Sequence, residues 1–183
     1  MNAQKFFRLN LLSLLALVIM MASCSKDSSE LMGFVPKDAD VVATLKPMDL
    51  AKKANLKELK VSNPSLTKLK DLFLADNGID LRQTVFFQMG DEGCFIFAIK
   101  DKGKFEKAFE GISKDEINGK PAYPEMNLIV ADDYGWMVAD GDMAAVAGKI
   151  DGWMTQTEEN SIQAVKGFSD MMLKSDVDVY VNF

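Results

Sequence analysis

Two neighbouring apolar runs constrain the fold of this chain more than any other feature. Thr84–Met89 and Cys94–Ile99 are rich in aromatic and β-branched residues, and the turn sequence Gly90-Asp91-Glu92-Gly93 separates them. This pattern predicts a β-hairpin. Because both runs are apolar on both faces, we expect the hairpin to lie at the centre of a sheet that is covered on each side.

The rest of the chain predicts further strands and amphipathic helices around this hairpin. Strands are expected at 40–46, 120–123, 127–131, 135–139 and 176–183. Helices are expected at 48–60, 65–75, 104–112, 143–154 (capped by Asp142) and 161–174. Together they predict an α+β fold, with a largely antiparallel sheet and helices packed on it.

The first residues have the features of an export signal. Lys5 and Arg8 precede the apolar run Leu11–Met21, which small residues follow. The run is too short for a transmembrane helix, which needs about 20 apolar residues. The polar cluster Ser25–Glu30 cannot extend it.

The end of this signal resembles a bacterial lipobox. In Met21-Ala22-Ser23-Cys24 a large apolar residue and two small ones precede a cysteine. The resemblance implies that Cys24 becomes the first residue of the mature chain and carries diacylglycerol and an N-acyl group such as palmitate. Several acyl chains give essentially permanent anchoring.

The residues after Cys24 indicate which membrane holds the chain. An aspartate directly after the cysteine would resemble an inner-membrane retention signal, and the serine found there, Ser25, favours the outer membrane. Lys26-Asp27 resembles part of a surface-export signal. We therefore expect the domain to be lipid-anchored at the outer membrane, either surface-exposed or periplasm-facing.

These boundaries predict one ordinary domain on a lipid anchor. Residues 1–23 are the signal peptide, 24–33 a flexible tether, 34–175 an α+β domain and 176–183 a further strand. Removal of the signal takes 23 of the 183 residues and leaves 160, the size of a single domain.

Composition excludes several classes of function. Loss of Lys5 and Arg8 with the signal changes the formal charge from −6 to −8, so nucleic acid is not an expected partner. The chain contains no histidine, which excludes Ser-His-Asp and Cys-His catalysis and every His-ligated metal site. Once Cys24 is acylated, Cys94 is the only thiol, and we expect it to be buried and inert. The sequence predicts no cofactor.

The last segment resembles the first predicted strand. Asp176–Phe183 and Asp38–Leu45 agree in their polar and apolar positions, and three positions are identical at an offset of 138 residues: Asp38/Asp176, Asp40/Asp178 and Val41/Val179. We therefore expect Asp176 to open a second copy of the unit, which would make residues 34–175 the first half of a two-repeat protein.

The order of these motifs resembles a family of large Bacteroidetes lipoproteins known only as a domain of unknown function. The resemblance rests on the lipobox, on Phe34–Asp40 leading into a strand and on Asn77–Leu81 before an aromatic strand. It spans residues 11–100. It implies a full-length protein longer than this chain, and it transfers no activity and no site residues.

Carboxylates are the weak candidates for a metal site. If their strands pair, Asp132 and Asp133 could approach Asp140 and Asp142, and their oxygens could hold Ca²⁺. The spacing matches no calcium loop, however. Aspartates beside glycines are ordinary turn and cap residues, and we favour that interpretation.

Aromatic residues raise a second alternative. Tyr134, Trp136 and Trp153 could stack on sugar rings, but their positions in predicted elements favour packing in the core.

Two hypotheses of different classes follow. The first is an uncharacterised outer-membrane lipoprotein that acts as a non-enzymatic binding or scaffold module for an unidentified protein or glycan. The alternative is a carboxylate-dependent hydrolase acting on glycan or cell-wall material, which needs two carboxylates across a cleft.

Overall fold

The computed structural model describes residues 28–53, 55, 75–168, 172 and 175–182. The strands of this part of the chain are β1 Val41–Leu45, β2 Ile79–Met89, β3 Glu92–Ile99, β4 Asp115–Ile117, β5 Lys120–Tyr123, β6 Leu128–Ala131, β7 Tyr134–Asp140 and β8 Val177–Val181. Its α-helices are α1 Ser28–Gly33, α2 Pro47–Lys53, α3 Lys102–Ala108 and α4 Met143–Thr155, and its short 3₁₀ helices are Pro124–Met126, Glu158–Asn160 and Ile162–Ala164. This is an α+β fold.

All eight strands form one antiparallel sheet in the order β4-β5-β6-β7-β3-β2-β1-β8. The predicted hairpin is β2–β3, and β3 lies between β2 and β7 in the middle of the sheet. The hairpin turn is shorter than expected. Strand pairing reaches Met89↔Glu92, so only Gly90 and Asp91 form the loop, and Gly90 has the positive φ (58°) that two-residue hairpin loops use.

The first face of the sheet is covered by α1, α4 and the 3₁₀ helix Ile162–Ala164. Asp142 caps α4 as predicted, since its side chain accepts hydrogen bonds from the amides of Ala144 and Ala145. The helix brings Trp153 against Trp136 of β7, with ring centroids 5.8 Å apart, and against Phe87 of β2 at 5.2 Å. These rings belong to the larger of two hydrophobic clusters.

The second face is covered only in part, by α3 and the residues that follow it. Phe105 and Phe109 stack with centroids 4.4 Å apart, and Phe109 contacts Tyr123 of β5 at 5.1 Å. The smaller cluster draws its buried residues from α3, β2, β3, β5 and β6. The β1 and β8 side of this face has more accessible side chains, and Val179 of β8 is 60% exposed.

The N-terminal part of the fold begins earlier than the sequence predicted. Residues 28–33, assigned to the flexible tether, form α1, in which Leu31 and Met32 are buried. The Tyr134 hydroxyl donates a hydrogen bond to the Glu30 carboxylate, and the ring of Phe34 meets Tyr134 edge-on at 4.8 Å. Tertiary contacts therefore hold this short helix on the sheet.

Several predicted helices have different bounds. α3 begins at Lys102 because the Asp101 side chain caps it, and it ends at Ala108, which is exposed and not on the apolar face. α2 ends at Lys53, and Asn55 is left-handed (φ 49°). Residues 54 and 56–60 of the predicted helix 48–60 lie outside the described residues. The predicted helix 65–75 lies outside the described residues except for Ala75.

The predicted helix 161–174 is wrong over its described first half, which contains a 3₁₀ helix, Ile162–Ala164, and a left-handed Gly167 (φ 80°). The Ile162 amide donates to the carbonyl of Val35, a contact that joins this segment to the chain after α1. Strand β4 was not predicted, because Asp115 and Glu116 have low strand propensity.

Gly135 provides a test of the central packing. A Cβ atom at this position would lie 2.2 Å from the ring of Phe97 on the paired strand β3, so the ring or the strand must move. We expect Gly135→Ala to lower the free energy of unfolding by about 1–3 kcal/mol, the usual cost of overpacking. Urea unfolding followed by circular dichroism would measure it.

Gly152 supplies the matched control for this substitution. It lies within α4, and a Cβ atom there would meet nothing within 4 Å. Gly152→Ala should leave stability unchanged or raise it by up to about 1 kcal/mol. Equal effects of the two substitutions would contradict the packing described for Phe97 and Gly135.

Candidate functional site

An apolar pocket of about 280 Å³ lies on the second face of the sheet, beside the part that α3 covers. Ten of its eleven lining residues are apolar, and the exception is Thr84. The lining comprises Leu45, Pro47, Ile79, Leu81, Thr84, Phe95, Phe97, Phe109, Met126, Leu128 and Met137. Pockets with such a lining bind apolar groups and use polar groups at their edge for orientation.

The strands of the sheet form the floor of the pocket. The pocket stays open because no described helix crosses this part of the sheet. Phe97 lies over Gly135 at one side, and Phe109 lies just after the end of α3. Leu45 and Pro47 enter from the end of β1 and the start of α2. The chain thus surrounds the gap on several sides with its own apolar side chains.

A charged cleft of about 610 Å³ adjoins the pocket, and Ile79 and Leu81 line both. Asp80, on the same strand, accepts two hydrogen bonds from Arg82 Nε, at 2.8 and 3.1 Å. These hydrogen bonds hold the pKa of the Asp80 carboxyl below its usual value, despite its partial burial. Asp80 is therefore a fixed anion.

The other charges at the cleft are largely paired. Lys52 lies 3.4 Å from Asp49, and Asp76 forms an ion pair with Lys104. Lys100 also lines the cleft. Its charge further lowers the pKa of Asp76 and Asp80, although its ammonium group makes no direct ion pair with any residue that the structure describes. The cleft can therefore offer a cation to an anionic group beside an apolar pocket.

The structure does not bring the candidate metal ligands together. Asp132 and Asp133 form the turn before β7, whereas Asp140 ends β7 and Asp142 caps α4. Six residues of β7, Tyr134 to Ala139, lie between the two pairs, which puts Asp133 and Asp140 roughly 20 Å apart. Asp133 forms an ion pair with Lys102 at 2.9 Å. Over the described ranges, no group of three or more acidic or cysteine side chains could hold a metal ion.

The aromatic candidates pack in the core as favoured from the sequence. Tyr134, Trp136 and Trp153 are all buried, so none of them offers a ring face to a sugar. The Trp136 indole nitrogen is buried with no hydrogen-bond partner among the described residues.

The apolar pocket was not found from the sequence. Its residues look like ordinary strand and helix residues, because alternation predicts which face they occupy and not whether a helix covers that face. The one available signal was Ile79-Asp80-Leu81-Arg82, where apolar and charged residues alternate before the buried part of β2.

A scan against protein-family models and searches of curated proteins and of solved structures found no match. The resemblance to a Bacteroidetes lipoprotein family therefore stays a prediction. No helix within the described residues is long and apolar enough to cross a membrane.

Cys94 gives a prediction about thiol reactivity. The residue is fully buried on β3, and burial, with a smaller effect of Glu92, raises its pKa to about 12. In a mature chain carrying Cys24→Ser it is the only thiol. We expect Ellman's reagent to leave the native protein unlabelled at pH 8 and to label it in guanidinium chloride, because the thiolate is the reactive form.

The same pKa shift predicts how stability changes at alkaline pH. The unfolded thiol ionises near pH 8.5, whereas the folded thiol stays protonated to about pH 12. Its contribution is therefore complete below about pH 8.5 and is lost as pH rises toward 12. The free energy of unfolding should fall more steeply between pH 8 and 10 than in Cys94→Ala. Parallel slopes would contradict this assignment.

Proposed function

We propose that this chain is a lipid-anchored, non-catalytic binding module of the outer membrane, and that its ligand is an amphiphile with an aliphatic chain and an anionic head group. The observation that carries the proposal is the apolar pocket. Its lining contains one polar side chain, Thr84, and the adjoining cleft contains Lys100. At about 280 Å³ the pocket holds only the apolar part of such a ligand.

The chemistry around the pocket supports binding over catalysis. A hydrolase that uses two carboxylates needs one with a raised pKa as general acid. No carboxylate lines the pocket. Three line the cleft, Asp49, Asp76 and Asp80, and hydrogen bonds from Lys104 and Arg82 lower the pKa of Asp76 and Asp80. The hydrolase alternative therefore has no support from the described site.

The early start of the fold supports anchoring close to the membrane. Helix α1 begins at Ser28, only four residues after Cys24. Four residues span at most about 14 Å when fully extended. Acylation of Cys24 would therefore hold the folded domain near the lipid headgroups, where amphiphiles are concentrated.

Ligand binding can be tested with cis-parinaric acid, a fluorescent fatty acid, and the purified mature chain carrying Cys24→Ser. We expect a saturable rise in fluorescence. Leu81→Glu should weaken binding at least about tenfold, because it places an unpaired carboxylate against the aliphatic chain. Leu81→Met, which keeps an apolar side chain of similar volume, should retain binding.

Substitution of Lys100 tests binding of the anionic head group separately from binding of the aliphatic chain. Lys100→Ala should weaken binding of parinaric acid, but it should leave the binding of its uncharged methyl ester unchanged. Absence of saturable binding, or equal affinity of Leu81→Glu and Leu81→Met, would reject the pocket as the binding site.

Anchoring is tested separately with the full chain expressed in a bacterial host that acylates lipoproteins. The native chain should sediment with membranes, and mass spectrometry of its N-terminal peptide should show an acylated Cys24. Cys24→Ala should abolish the acyl mass on this peptide, because the acceptor thiol is lost. A native N-terminal peptide without an acyl group would contradict lipid anchoring.

A further inference from the structure

We propose that β8 is a self-association edge, through which two copies of this chain pair β8 to β8 antiparallel and join their sheets. The first observation is the distribution of exposed apolar side chains. Among the described residues, the large hydrophobic side chains that are exposed are Val177, Val179 and Val181, at 45%, 60% and 43%. All three lie on one face of β8.

The two edges of the sheet differ in how they are protected. β4 has three residues, two of them the acids Asp115 and Glu116, and such short charged edges resist pairing with other chains. β8 has five residues, no lysine, no proline and a row of valines, and among the described strands it pairs only with β1. An edge of this kind is a template for another strand.

The hydrogen bonds to β1 show which backbone groups of β8 remain open. The Asn182 amide donates to the Asp40 carbonyl, and the Lys46 amide donates to the Asp176 carbonyl. Backbone groups alternate along a strand, so the even-numbered residues of β8 bond to β1. The amides and carbonyls of Val177, Val179 and Val181 therefore point away from β1, toward a new strand.

If a two-fold axis passes through Val179, the second copy provides hydrogen-bond partners for all the outward amides and carbonyls of Val177, Val179 and Val181. Val179 then lies opposite Val179 of the second copy, and Val177 lies opposite Val181. On the other face Asp178 lies opposite Tyr180, so no two carboxylates within the strand meet directly, which would be destabilising. Pairing of this kind occurs already inside the chain, where β1 and β8 share the sequence Asp-Val at 40–41 and 178–179 and pair antiparallel.

The dimer is compatible with two anchors in one membrane. The axis runs perpendicular to the sheet, so the faces that carry α1 stay on the same side in both copies. Both Cys24 residues, each four residues before α1, can then reach one bilayer. This step rests on the acylation proposed above, whereas the strand pairing does not. Confinement to one membrane raises the effective concentration of the two edges.

Disulfide trapping tests both the contact and its register, using the purified mature chain with Cys24→Ser so that acylation has no influence. In Val179→Cys the two cysteines face each other across the axis, with Cα atoms about 5.5 Å apart, a distance that a disulfide spans. In Val177→Cys the equivalent cysteines are displaced by four residues, roughly 13 Å, and cannot be bridged. Cys94 is buried in both variants.

We expect oxidised glutathione to give at least about tenfold more disulfide-linked dimer with Val179→Cys than with Val177→Cys on non-reducing gels. Sedimentation of the Cys24→Ser chain should show dimerisation that depends on concentration. Val179→Pro, which removes one outward amide, should abolish it, and Val179→Thr should retain it. Circular dichroism would confirm that both variants fold.

Three results would overturn the proposal: a monomer at every concentration, equal trapping of the two cysteine variants, or a dimer unaffected by Val179→Pro. A monomer would instead favour pairing of β8 with a strand of the second unit, which the resemblance of Asp176–Phe183 to Asp38–Leu45 predicts.

Discussion

The pairing of β3 with β7 holds the two parts of the molecule in a single sheet. β2 and β3 form a local hairpin, and β4 to β7 form a local meander, so only the β3–β7 register (Ile96↔Trp136, Phe97↔Gly135) connects them directly. Such a distant contact must offset the entropy of closing the intervening chain. It does so with buried side chains on both faces, because Ile96 and Trp136 enter the larger cluster while Phe97 enters the smaller one.

The two faces of this sheet are covered to different extents. On the first face, α1, α4 and the turns after α4 interlock, and Trp153 bridges β2 and β7. On the second face, α3 covers one end and leaves the apolar pocket and the β8 valines accessible. The second face also has a buried cluster, so both faces contribute to stability, but part of its apolar surface stays accessible beside that cluster.

The sequence correctly predicted those elements whose turn, capping or alternation pattern lies within the element itself. The hairpin, the Asp142 cap and the strand at 120–123 were correct because turn chemistry, capping and alternation depend on near neighbours. α1 was missed because Leu31 and Met32 gain their burial from distant strands. The last predicted helix was wrong because the Ile162 amide bonds to Val35, far away in sequence. The pocket could not be predicted either, since it depends on how far α3 extends across the sheet.

The short stretch between Cys24 and α1 has a consequence for what this module can encounter. If Cys24 carries lipid, the linker to α1 spans at most about 14 Å, so the folded domain must stay close to the bilayer surface. Its search for ligands and partners then becomes two-dimensional. Molecules that spread within or along the membrane reach it readily, and large particles outside must approach the headgroups before they meet it.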